Sequence, residues 1–216
     1  MTAAAMLSPA TRGSAPPTLG AELESLADRL KQMTVRIHSR GDRFDGVGAG
    51  VLWPYREQSI VVTNAHVVPA RRSDAVVVED RERRVVTARV LARDVERDLA
   101  ILSLPELPDE WPVPAPLGDA AGLRVGEIVV ALGHPFGVAG ALSLGVLHAA
   151  LAADDRWLQA DIRLAPGNSG GPLATVDGAV IGINAMIVRG LGIAVPASAA
   201  RAFVAQVLGA PNEHAA

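Results

Sequence analysis

Three residues of this chain have the side chains and surroundings that acyl transfer requires: His66 in IVVTNAHVV, Asp98 in RDLAIL and Ser169 in APGNSGGPL. A serine hydroxyl is a weak nucleophile. It becomes competent when an imidazole takes its proton and a carboxylate keeps the other ring nitrogen protonated and the ring in place. Read singly, each residue also has a plainer explanation. His66 directly after an apolar strand suits a structural histidine capping that strand. Asp98 suits a turn residue opening the strand Leu99 to Leu102, although it abuts that strand and could turn inward, unlike its charged neighbours from Arg93 to Arg97. Ser169, flanked by Gly167, Gly170 and Gly171, suits a glycine-rich hairpin. The same glycines, however, free the backbone to take unusual dihedrals and clear a path for substrate. Such a loop can aim the Gly167 and Ser169 N–H groups at one spot, as a developing oxyanion needs.

Composition narrows the alternatives. The chain has 216 residues, half of them apolar, enough for a substantial core in one or two small domains. Its formal net charge is -3 and its basic residues are dispersed, so nucleic acid is not an expected partner. The absence of cysteine removes disulfides, thiolate metal ligands and a cysteine nucleophile together. The five histidines, His38, His66, His134, His148 and His214, form no ligand pair at helical spacing with an acidic residue. No metal and no cofactor are expected, and His134 and His148 read as structural. No window reaches the roughly 18 apolar residues of a membrane-spanning helix, and no signal peptide is evident, which leaves the cytoplasm as the default compartment.

The elements that must position these residues are mostly strands. Leu19, Leu23, Leu26 and Leu30 recur at helical spacing and predict a short amphipathic helix. From Thr34 onward the pattern changes to β-branched runs broken by turns: VRIH, GAGVLW, SIVVTN, DAVVVED, RRVVTARVLA and LAILSL. After the proline-rich LPELPDEWPVPAPL a second series follows, from GEIVVALG to LGIAVP. With no long helix between strands, an all-β fold of paired antiparallel barrels is expected. The predicted division is a flexible tail over 1–18, a helix and first barrel over 19–104 and a connection over 105–117. A second barrel over 118–196 and a C-terminal helix and tail over 197–216 complete it.

The motifs TNAHVV, RDLAIL, ALGHPFG and APGNSGGPL resemble those of the HtrA/Deg-type trypsin-like serine proteases, over roughly Met33 to Pro196. The order His, Asp, Ser along the chain is that of the chymotrypsin fold. The resemblance implies two six-stranded antiparallel β-barrels with the active site in the cleft between them. It also implies a serine endopeptidase whose triad is His66, Asp98 and Ser169, whose oxyanion hole is made by Gly167 and Ser169, and whose partners are polypeptide substrates. Asn168 stands where digestive trypsins carry the aspartate that pairs with a newly freed N-terminus, so activity is expected without N-terminal cleavage.

The chain also departs from that family. It runs about twenty residues past IAVP, too few for the PDZ domain many relatives carry. Their trimeric assembly is not assumed, and homo-oligomerisation stays open. Ala165 replaces a frequent asparagine, and Ala185 replaces a Ser or Thr that would donate to Asp98, which predicts slower catalysis. By the same alignment Leu164, Ala185, Ile187 and Val188 line the primary pocket and favour a small or medium aliphatic side chain. Arg163 aligns with the base of that pocket. Turned inward it would favour acidic residues, and solvent exposure is the reading taken here. The alternative function is a peptide-binding or chaperone-like module whose protease site rests inactive.

Overall fold

The computed structural model describes residues 18–39, 46–56, 58–69, 75–104, 114–149 and 156–209. Most of the predicted tail, residues 105–113 of the predicted connection, and 210–216 lie outside them.

A helix, α1 (Leu19–Met33), opens on Thr18, whose hydroxyl accepts from the Ala21 N–H, and turns Leu26, Leu30 and Met33 into the core. Leu19 shares their spacing but is 70 % exposed, because only the later turns of the helix reach the barrels. Strands β1 (Thr34–Ser39), β2 (Gly46–Tyr55), β3 (Gln58–Thr63), β4 (Ala75–Glu79), β5 (Val85–Asp94) and β6 (Leu99–Ser103) follow. They close into a barrel in the order β1-β2-β3-β6-β5-β4. A second set comprises β7 (Ile128–Gly133), β8 (Ala141–Ala149), β9 (Leu158–Asp161), β10 (Pro172–Thr175), β11 (Val180–Val188) and β12 (Leu191–Pro196). These close in the order β10-β11-β12-β9-β8-β7, and α2 (Ala197–Leu208) ends the described chain. The fold is therefore two closed six-stranded antiparallel barrels with one helix at either end. Among the described residues no helix is long and apolar enough to cross a membrane.

Continuous apolar runs, rather than strict alternation, characterise the strands nearest the site because both of their faces are buried. On β3, Val61 points into the first barrel while Ile60 and Val62 join a core shared between the barrels. On β6, Ala100 and Leu102 fill the barrel while Leu99 and Ile101 face the shared core. The second barrel mirrors this on β7, with Val129 and Ala131 inside and Val130 and Leu132 in the shared core. Trp53, Phe203 of α2, and Leu26 and Leu30 of α1 complete that middle layer. Burying a side chain of this size contributes about 1.5–3 kcal/mol, so the middle layer holds the two barrels in one fixed relation. β3, which leads to His66, and β6, which Asp98 precedes, are fastened by it.

The segment around Ala115 bridges the halves. Its N–H donates to the Leu52 carbonyl of β2, and two residues on, Leu117 forms a parallel bridge with Val180 of β11.

Candidate active site

A cleft of about 580 Å³ opens between the barrels, with Gly48 and His66 on one wall and Leu164 to Ser169 and Ala185 to Ile187 on the other.

His66 stands just past the end of β3, in a turn closed by the Val67 N–H on the Asn64 carbonyl at 3.2 Å. Its ring is 44 % exposed, and Nδ1 lies 2.8 Å from Asp98 Oδ2 and 3.0 Å from Oδ1. The His66 main-chain N–H donates to Asp98 Oδ1 at 3.1 Å as well. A carboxylate only accepts, so this pairing assigns the proton to Nδ1 and leaves the Nε2 lone pair to act as a base. Arg93 secures the approach to the ring by donating from Nη2 to the Ala65 carbonyl at 2.6 Å.

Asp98 reaches His66 from the start of β6 through a left-handed backbone, φ 54°. Few side chains tolerate that conformation, and aspartate is one of them. Asn64 Nδ2 donates to the Asp98 carbonyl at 2.9 Å and holds the turn. The donors to the Asp98 carboxylate among the described residues all come from His66. Ala185 supplies none.

Ser169 projects from the turn between β9 and β10, where Gly167 (φ 105°) and Gly170 (φ 86°) both lie in the left-handed half of dihedral space. A Cβ on Gly167 would fall 2.2 Å from the His134 carbonyl oxygen, and one on Gly170 would fall 1.9 Å from that of Ala49. Glycine is thus required at both positions. The Ser169 carbonyl accepts from the Ala49 N–H of β2 at 2.8 Å, so the first barrel holds the loop that carries the serine.

The carbonyls on either side of Ser169 determine where its amides point. In a trans peptide the C=O and the following N–H are antiparallel. Pro166 O accepts from the Phe136 N–H at 3.0 Å, and Asn168 O accepts from the Gly171 N–H at 3.0 Å. The Gly167 and Ser169 N–H groups therefore point the opposite way, and neither has a partner among the described residues. Both residues line the cleft. Two unpaired donors there are suited to a developing negative charge.

The Ser169 hydroxyl donates to the Ala185 carbonyl at 3.0 Å, and no hydrogen bond joins it to His66 among the described residues. Of the expected pocket wall, Leu164, Ala185 and Ile187 line the cleft. Val188 does not. It follows Ile187 as the last residue of β11. Arg163 is exposed, just past the end of β9 and between buried Ile162 and Leu164.

Several contributors were not singled out beforehand. Asn64 and Arg93 support the His66–Asp98 pair, and Met186 and Phe136 add to the apolar wall. Asn64 lies within the TNAHVV motif, the one local signal of its part. Phe136 is 81 % exposed and sits at φ 52°, which its sequence context does not announce. His134, read as structural, is buried, accepts from the Gly140 N–H at Nδ1 (3.2 Å) and donates its main-chain N–H to the Gly167 carbonyl at 2.9 Å. Its pKa is lowered to about 4, first because burial strips water from the imidazolium and next because the Arg36 charge is close.

Paired antiparallel barrels, with a His–Asp pair on one and a glycine-framed serine on the other, define the trypsin-like peptidase domain. The chain belongs to that family, whose model matches residues 48–183. Its relatives are of the HtrA/Deg type. It is 37 % identical over 178 residues to HhoA of Synechocystis sp., covering 77 % of this chain and 44 % of HhoA. It is 34 % identical over 180 residues to Serine protease HTRA1A of Danio rerio, covering 79 % and 36 %. To Serine protease Do-like HtrA of Bacillus subtilis it is 33 % identical over 190 residues, covering 79 % and 41 %. The chain spans less than half the length of each of these relatives. The crystal structure of the serine endoprotease from Yersinia pestis shares its fold, with a TM-score of 0.75 at 24 % identity, covering 90 % of this chain and 68 % of that one.

Proposed function

We propose that this domain hydrolyses peptide bonds in unfolded or flexible protein segments through an acyl-enzyme on Ser169. The observation that carries the reading is the meeting in one cleft of a His66 ring hydrogen-bonded to Asp98 and two unpaired amides flanking the serine. His66 Nε2 takes the Ser169 proton as Oγ bonds to the scissile carbonyl carbon. The carbonyl oxygen, now negative, is held by the Gly167 and Ser169 N–H groups. The C–N bond breaks as His66 passes its proton to the leaving amine, and water repeats the sequence in reverse roles to free the acid. Asp98 keeps the ring in its tautomer and stabilises the imidazolium. The apolar walls contributed by Leu164, Ala185 and Ile187 support a preference for a small or medium aliphatic side chain before the cut bond.

A second reading, a peptide-binding module with a resting protease site, draws support from the Ser169 hydroxyl being held by Ala185 rather than His66. Incubating wild type and Ser169→Ala with reduced casein and a fluorophosphonate probe separates the two. Cutting and labelling by wild type alone uphold hydrolysis. Peptide binding by both proteins with no turnover or labelling upholds the binding module.

A further inference from the structure

The Pro166–Gly167 peptide and the one after it are held by the segment His134 to Gly140, which gives the Phe136 N–H to Pro166 O and the His134 N–H to Gly167 O. That segment is strained. Phe136 and Gly137 take left-handed backbone one after the other, φ 52° and 81°. Glycine takes such backbone freely, but a phenylalanine there persists only where surrounding contacts over-determine it. One such contact comes from the other barrel. Arg36, buried on β1, donates from Nη2 to the Gly137 carbonyl at 3.1 Å and from Nη1 to Glu79 Oε1 at 3.3 Å. Glu79 is the cross-strand partner of Arg36 on β4, and its other oxygen meets His38 Nε2 at 2.9 Å. A guanidinium is a rigid planar fork, so anchoring one arm on Glu79 fixes where the other points.

We propose that Arg36 is a positioning residue for the oxyanion-binding amide of Gly167, acting from the first barrel through the Gly137 carbonyl. Without it, the Gly137 carbonyl loses its donor, the left-handed pair relaxes and the Phe136 N–H releases Pro166 O. The Pro166–Gly167 peptide is then free to rotate and present its carbonyl, instead of its N–H, to the cleft. The inference rests on the acyl-enzyme reading above.

The test compares wild type with Arg36→Gln, Arg36→Lys and Glu79→Gln on a peptide ester. It also measures affinity for a peptide boronate, whose tetrahedral adduct needs the oxyanion amides, and for the product peptide, which needs only the walls. Arg36→Gln is expected to lower kcat about 10- to 100-fold with little change in KM. Boronate affinity should fall in parallel and product affinity should hold. Arg36→Lys, which keeps a donor, should recover part of the loss. Should Arg36→Gln fail to fold, Glu79→Gln decides, because freeing one arm of the fork should give the same kcat-only loss in smaller measure. Unchanged kcat in the folded variants, or equal losses for boronate and product, overturns the proposal and leaves the hydrolase reading standing. A wild type with no turnover overturns both.

Discussion

The Ser169 hydroxyl rests on the Ala185 carbonyl at 3.0 Å, while the His66 ring is already fixed on Asp98 at 2.8 Å. On the acyl-enzyme reading, attack carries the hydroxyl from the Ala185 carbonyl to His66 Nε2. One neutral hydrogen bond is then traded for another of similar worth, so the resting rotamer should slow turnover only slightly. A crystal structure of the fluorophosphonate adduct should show Oγ away from the Ala185 carbonyl and the His66–Asp98 pair unchanged. An adduct with Oγ still at Ala185 would make the resting rotamer the reactive one.

Asp98 combines a charge that orients His66 with a left-handed backbone, and two substitutions separate these roles. Asp98→Asn suits the backbone, so stability should stay within about 1 kcal/mol of wild type. Its amide would nevertheless donate toward Nδ1 and favour the wrong tautomer, and kcat should fall about 10⁴-fold, the magnitude usual for this change in a Ser-His-Asp triad. Asp98→Ala should lose as much activity and about 1 kcal/mol more stability. Urea titration and steady-state kinetics check both. Equal stability of the two variants would remove the backbone argument.

His134 predicts an acid-side loss of stability. Unfolded, its imidazole takes a proton near pH 6.5, whereas the folded chain resists until about 4. Between those values the unfolded state binds more protons, so stability falls as pH drops through that window and levels off below it. The total is on the order of 3 kcal/mol. Arg36, Glu79 and His38 are the charged and titratable groups acting on the ring. His134→Asn should flatten the dependence when urea midpoints are compared at pH 7 and 4.5, and a slope that persists would belong to other groups.

Gly170 tests how tightly the serine loop is seated. A Cβ there would meet the Ala49 oxygen at 1.9 Å and Thr63 Oγ1 at 2.2 Å, on a left-handed backbone. Gly170→Ala should cost about 3 kcal/mol or more in a denaturant titration and abolish probe labelling under conditions where the protein remains folded. Retained labelling would show that the loop tolerates displacement.

The candidate site was legible wherever its signal was local. GNSGGPL carries both the serine and the glycines whose φ values and close approaches require glycine, and the positions of His66 after one strand and Asp98 before another follow from short apolar runs. The strands were legible for the same reason. Their allocation to three cores was not, because β3 and β6 are apolar on both faces and periodicity cannot say which face meets which barrel. Alignment puts Val188 in the pocket wall with Ile187, whereas only Ile187 of the two lines the cleft. The Arg36–Gly137 contact joins residues 101 positions apart, beyond the reach of any local pattern.

The Ser169 carbonyl is, in effect, a strand partner of Ala49 in the other half of the molecule. A chain cut within residues 105–113 would give two fragments, one with His66 and Asp98 and the other with Ser169, and the second would lack the donor that seats its own serine. Activity regained on mixing would then report reassembly itself, which makes this domain a natural starting point for a split-protein sensor.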